Sequence, residues 1–97
     1  METPLTPFDM TQYLDLEEAI AEYLTQVLEE GDIDELIRAI GHIAKARGMS
    51  QIAQESGLGR ESLYKTFFPG SKPRFDTIAK VVKSLGLHIQ ITPLKAS

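Results

Sequence analysis

The chain contains no cysteine, so disulfides, iron–sulfur clusters and cysteine-ligated zinc are excluded. Long apolar runs are missing too. None approaches the roughly 20 residues that span a bilayer, and the first eleven residues lack the basic-then-apolar order of a signal peptide. The expectation is a soluble, cytoplasmic protein with no membrane contact. Histidine is scarce: His42 and His88 stand alone, away from any carboxylate cluster at ligand spacing, so no metal site is expected. The pairs Glu17-Glu18 and Glu29-Glu30 are adjacent, and on a helix neighbours diverge by about 100°, so neither forms a carboxylate dyad. There is no Ser-His-Asp order, no phosphate-cradling glycine loop and no dinucleotide fingerprint. The expectation is a protein without cofactor that is not an enzyme.

The most informative shortage concerns charge of one sign. The first 35 residues contain no lysine or arginine but eleven acids: Glu2, Asp9, Asp15, Glu17, Glu18, Glu22, Glu29, Glu30, Asp32, Asp34 and Glu35. From Leu36 onward there are three acids, Glu55, Glu61 and Asp76, against all ten bases. The net charge of −4 over 97 residues is therefore the sum of an acidic end and a basic end. A hydrophobic fraction of 42% and a charged fraction of 25% fit one globular domain. Charge segregated in this way points to two surfaces with two partners, one of them nucleic acid.

Periodicity predicts an all-α bundle of about five helices with a short C-terminal strand. Residues 1–15, with Pro4 and Pro7, read as an extended arm, with a short turn around residues 9–13, before a single domain over 16–97. Asp15 is placed to cap an acidic helix over 16–30, in which Leu16, Ala19, Ile20, Tyr23, Leu24, Val27 and Leu28 share one face and Gly31 supplies the stop. Asp32 caps a second helix with Glu35 three residues later. Its stripe is Ile33, Leu36, Ile37, Ile40, Ile43 and Ala44, and it ends at Gly48. Short helices follow over 50–56 and 60–67, and then a loop over 69–73 dictated by two prolines and a glycine. The fifth helix begins near Arg74, turns Phe75, Ile78, Ala79, Val82 and Leu85 inward, and stops at Gly86. Leu87, Ile89 and Ile91 then alternate with polar residues, the period of a half-buried strand over 87–92. Its ladder partner is open among the N-terminal arm, a partner protein and, preferred here, the same strand of a second subunit, since prolines make the arm a poor strand.

The core of residues 32–86 carries the specific signal. Two closely crossing helices need a small residue at their contact, a glycine in the turn and an aliphatic anchor beyond it. Ala53, Gly57 and Leu63 supply these, with Ile52 and Leu58 beside them. The run Gly48-Met49-Ser50-Gln51-Ile52-Ala53-Gln54-Glu55-Ser56-Gly57-Leu58-Gly59-Arg60-Glu61-Ser62-Leu63-Tyr64-Lys65, followed by Lys72-Pro73-Arg74-Phe75-Asp76-Thr77 and Leu85-Gly86-Leu87, resembles the probable addiction-module antidote proteins. The resemblance extends back to Tyr13-Leu14 and the Glu29-Glu30-Gly31-Asp32 junction. These are antitoxins with an Xre-type, lambda-repressor-like helix-turn-helix. The resemblance implies a protein that neutralises a RelE/ParE/HigB-like toxin and represses its own operon. Two positions depart from the general repressor pattern. Thr66 stands where an aliphatic residue is usual, with Phe67 available to fill the volume, and Gly59 replaces the usual Ser or Thr cap.

If the helix from Arg60 enters a major groove, Arg60, Glu61, Tyr64 and Lys65 face base edges. Arg and Lys donate to guanine, Glu accepts from cytosine, and the Tyr ring touches a thymine methyl. Gln51, Ser62, Lys72 and Arg74 suit phosphates. The plainer reading of all eight is a solvated surface. Glu18, Glu22 and Glu29 on the acidic helix are candidates for a small basic toxin, against the plainer reading of an amphipathic helix packed on the core. A homodimer is expected, because proteins of this type read paired half-sites. Alternatives are a stand-alone Xre-type regulator, or a protein-interaction module that has lost DNA binding, for which the Gly59 and Thr66 departures leave room.

Overall fold

The computed structural model describes the backbone of residues 10–94 and the side chains of residues 16–94. Five helices follow in order: α1 (Met10–Glu29), α2 (Ile33–Arg47), α3 (Met49–Ser56), α4 (Arg60–Thr66) and α5 (Phe75–Ser84). The first is longer than its periodicity suggested. After Pro7 no proline or glycine intervenes before Gly31, so nothing stops helical hydrogen bonding from running through Asp15 back to Met10. The proposed cap at Asp15 and turn around 9–13 give way to helix over 10–15. The rest of the expected arm, 1–9, lies outside the described residues.

The remaining boundaries follow local chemistry. The Asp32 carboxylate accepts a hydrogen bond from the Glu35 N–H at 3.1 Å, capping α2. The reciprocal half of a capping box is not made, because the Glu35 carboxylate turns to Arg38 at 2.6 Å. Gly48 alone separates α2 from α3. Gly57 ends α3 in the left-handed region, φ 79° and ψ 6°, where a Cβ would cost about 1–2 kcal/mol.

Helix α1 packs on α2, α2 on α3 and α5, and α3 on α4 and α5. The third helix is thus the hub, and its Ile52 is fully buried. Around it close Leu24, Ala39, Ile40, Ala44, Met49, Leu63, Ile78, Val81, Val82 and Leu85. Six expected inward positions fall outside: Leu16, Ala19, Tyr23, Leu28 and Ile33 are exposed, and Phe75 is 72% exposed, because among the described residues nothing covers the first turn of α5. Val81, not expected inward, is fully buried. The covered arc of α5 is therefore rotated toward Val81 from the one the sequence suggested.

The C-terminal strand is not formed: among the described residues no strand occurs, and 87–94 is irregular. The end of α5 supplies the reason. The Gly86 N–H donates to the Lys83 carbonyl at 2.9 Å and the Leu87 N–H to the Val82 carbonyl at 3.3 Å, the two bonds of a Schellman motif. Leu87 packs against the core as that motif requires, so its N–H is spent on the helix and cannot open a ladder. Ile89 and Ile91 alternate as expected but have no neighbouring strand among the described residues, and both are exposed.

Candidate nucleic-acid interface

The surface of interest is built on α4, a helix of seven residues too short to be stable alone. Two anchors hold it. Leu63 is fully buried in the common core, and Phe67, just past the last turn, packs over Gly41 of α2. A Cβ on Gly41 would lie 3.0 Å from the Phe67 ring, so the bare glycine is the notch that admits it. The Thr66 hydroxyl donates to the Ser62 carbonyl at 2.8 Å. Its polar group is thereby satisfied where an aliphatic residue is more usual, and Phe67 fills the volume. Gly59 adopts an extended conformation before α4 but offers no side-chain cap.

With Leu63 turned in, the rest of α4 faces solvent. Arg60, Glu61, Ser62 and Lys65 are exposed, and Tyr64 is 45% exposed. The four residues expected at base edges are thus brought together on one short helix, with Ser62 among them. The other expected phosphate contacts are more dispersed. Gln51 is exposed on α3, where its amide donates to Glu55 at 3.1 Å. Lys72 lies 3.9 Å from the Asp34 carboxylate in the first turn of α2, and Arg74 lies 3.4 Å from Asp76. All four of these ionic side chains are more than half exposed, so the pairs are weak and easily exchanged. The Arg38 guanidinium has its pKa raised by its hydrogen bond to and charge interaction with Glu35.

Sequence reasoning passed over Phe68. It is 71% exposed and lines a shallow apolar hollow with Tyr64, Lys65, Pro69, Gly70 and Ser71. The signal was present in the doublet Phe67-Phe68. Adjacent residues at a helix end point in directions about 100° apart, so a doublet whose first ring is seated in a notch aims the second elsewhere.

On α1, Glu18, Glu22 and Glu29 line one outward stripe with Ala21, Thr25 and Gln26. This is the face away from the buried Leu24 and Val27. Of the residues expected in a partner strand, Leu87 is taken up by the core and Ile91 is 92% exposed. Among the described residues no helix is long and apolar enough to cross a membrane.

Fold and surface together define the class: a small all-helical protein displaying a short polar helix behind a three-residue turn, Gly57 to Gly59. The family described as probable addiction module antidote protein matches residues 4–93, and this chain belongs to it. Membership implies an antitoxin role and with it a toxin partner. The chain is also 43% identical over 91 residues, 94% of each chain, to an uncharacterized protein of Haemophilus influenzae (strain ATCC 51907 / DSM 11121 / KW20 / Rd). No solved structure matches it.

Proposed function

We propose that this protein is the cytoplasmic antitoxin of a type II toxin–antitoxin module. It binds and neutralises a small basic toxin of the RelE/ParE/HigB-like class, and it represses its own operon by binding operator DNA as a dimer. One observation supports this above the rest. Within a chain matched by the antidote family over 4–93, α4 is held by Leu63 and Phe67 and turns Arg60, Glu61, Tyr64 and Lys65 outward. In an Xre-type, lambda-repressor-like arrangement α3 crosses the phosphate backbone and α4 enters the major groove. Arg60 and Lys65 then donate to guanine, Glu61 accepts from a cytosine amine, and Tyr64 meets a thymine methyl. Gln51, Ser62, Lys72 and Arg74 hold phosphates and fix the register; the two ion pairs open in exchange for phosphate oxygens. The stripe of Glu18, Glu22 and Glu29 takes the toxin. The role is that of a binding protein, not an enzyme.

Co-expression with the small reading frame beside this gene is the test, scored for growth, together with a mobility shift on the DNA upstream. Rescue from a toxic neighbour and a retarded band are expected. A harmless neighbour with DNA binding intact would make the protein a stand-alone regulator. Rescue without any shift would make it a protein-interaction module. On the DNA, Arg60→Ala should cost roughly 1–3 kcal/mol and relax base preference, while Lys72→Ala weakens all sequences alike and flattens the salt dependence.

A further inference from the structure

The α4 reading assigns no work to Phe68, and its setting is unusual. Large aromatic side chains at a surface normally lie flat on whatever apolar area is nearby. Phe68 instead stands on a loop closed by its own hydrogen bonds. The Phe67 N–H donates to Leu63, the Phe68 N–H to Lys65 at 3.2 Å, and the Ser71 N–H to Phe68 at 3.0 Å. The Ser71 hydroxyl also reaches back to the Thr66 carbonyl. Its neighbour Phe67 occupies the Gly41 notch, so Phe68 has no place in the core.

We propose that Phe68 is a further DNA-contacting residue, placing its ring against apolar atoms of the duplex at the edge of the groove that α4 enters. This rests on the α4 reading above. Three observations favour DNA as the occupant. Tyr64 and Lys65 of α4 line the same hollow as Phe68, so the ring is continuous with the surface that α4 presents. Cations stand around it: Lys65 lines the same hollow, Arg38 lines a second hollow with Phe68 beside Asp34, and Lys72 and Arg74, each within 4 Å of a carboxylate, follow in the loop with side chains 83% exposed. The hollow is also shallow and open, fitted to a ridge such as a deoxyribose edge or a thymine methyl of the groove wall rather than to an enclosed small molecule.

An apolar contact and an ionic one differ in salt dependence, and that separates Phe68 from its neighbours. Each phosphate neutralised by a cation adds to the slope of log affinity against log salt, whereas an apolar contact adds affinity without slope. The probe is a duplex carrying the sequence immediately upstream of this coding region, titrated at several salt concentrations. Phe68→Ala should weaken binding about tenfold with the slope unchanged, as expected for one good base-edge or methyl contact. Phe68→Leu should recover most of the loss. Because Phe68 is exposed, the thermal midpoint and sedimentation behaviour of both variants should match the parent protein. Phe68→Ala binding as the parent does, while Arg60→Ala is impaired, overturns this inference and leaves the α4 reading standing. If neither variant is impaired, the α4 reading fails and this one falls with it. A change in sedimentation on Phe68→Ala assigns the ring to a second copy of the chain and overturns the DNA contact.

Discussion

At the scale of single residues, Gly41 has no room for a side chain. Gly41→Ala would gain up to about 1 kcal/mol of helix propensity, but overpacking against the Phe67 ring costs roughly 1–3 kcal/mol. Net destabilisation is expected in chemical denaturation, and adding Phe67→Leu should relieve it; a more stable single variant would show that the ring is not seated there. Asp32→Ala removes the α2 cap and should cost about 1 kcal/mol, whereas Asp32→Gly costs only a few tenths. Such residues were legible in the sequence because their roles are local. A carboxylate three residues before Glu35 caps a helix, and a glycine between two short helices takes a left-handed turn, with little reference to the rest of the fold. Phe75 and Val81 were not legible. Both are apolar, and which of them is covered depends on the azimuth at which α2 and α3 meet α5, which no local pattern encodes. Phe68 was legible in principle, through its adjacency to Phe67.

At the scale of elements, α3 and α4 form one unit whose geometry depends on a few positions. Leu63→Ala empties a fully buried site and should cost roughly 2–5 kcal/mol. It should also abolish the mobility shift, because one of the two anchors of α4 is lost and Phe67 alone holds only its end; retained DNA binding would mean that α4 is not the reading element. The helices and their stops were readable from period and punctuation. The strand was not, although its two-residue alternation is real. Alternation states which side chains share a face but not whether a backbone partner exists, and the Schellman motif commits the Leu87 N–H to α5 first. The start of α1 was obscured for a related reason: Asp15 has the chemistry of a cap, yet a residue that can cap is not obliged to end a helix.

At the scale of the whole molecule, the proposed function makes the segregation of charge the factor that should set binding to DNA of any sequence. The eleven acids of the first 35 residues repel a polyanion while the later bases attract it, so loose, non-specific affinity should be low for a DNA-binding protein. Replacing Glu18, Glu22 and Glu29 with glutamine should raise that affinity at low salt. The gain should shrink as ionic strength shortens the screening length from about 30 Å at 0.01 M to about 10 Å at 0.1 M. The same variant should lose affinity for the toxin while keeping its stability, since the stripe faces away from the core. Unchanged toxin binding would move the neutralising surface off α1.

The hydrogen-bonded loop behind Phe68 bears on the cost of recognition. An unconstrained segment gives up backbone and rotamer entropy when it docks, and that loss is subtracted from affinity. Here the Ser71 hydroxyl ties the loop to Thr66 when the chain folds, so in the proposed DNA complex most of the ordering would be complete before binding. Ser71→Ala should therefore weaken DNA binding chiefly by loosening the loop, and calorimetry should show the loss in the entropic component. A hydrogen bond made wholly within the protein would then set part of the affinity through the disorder it prevents.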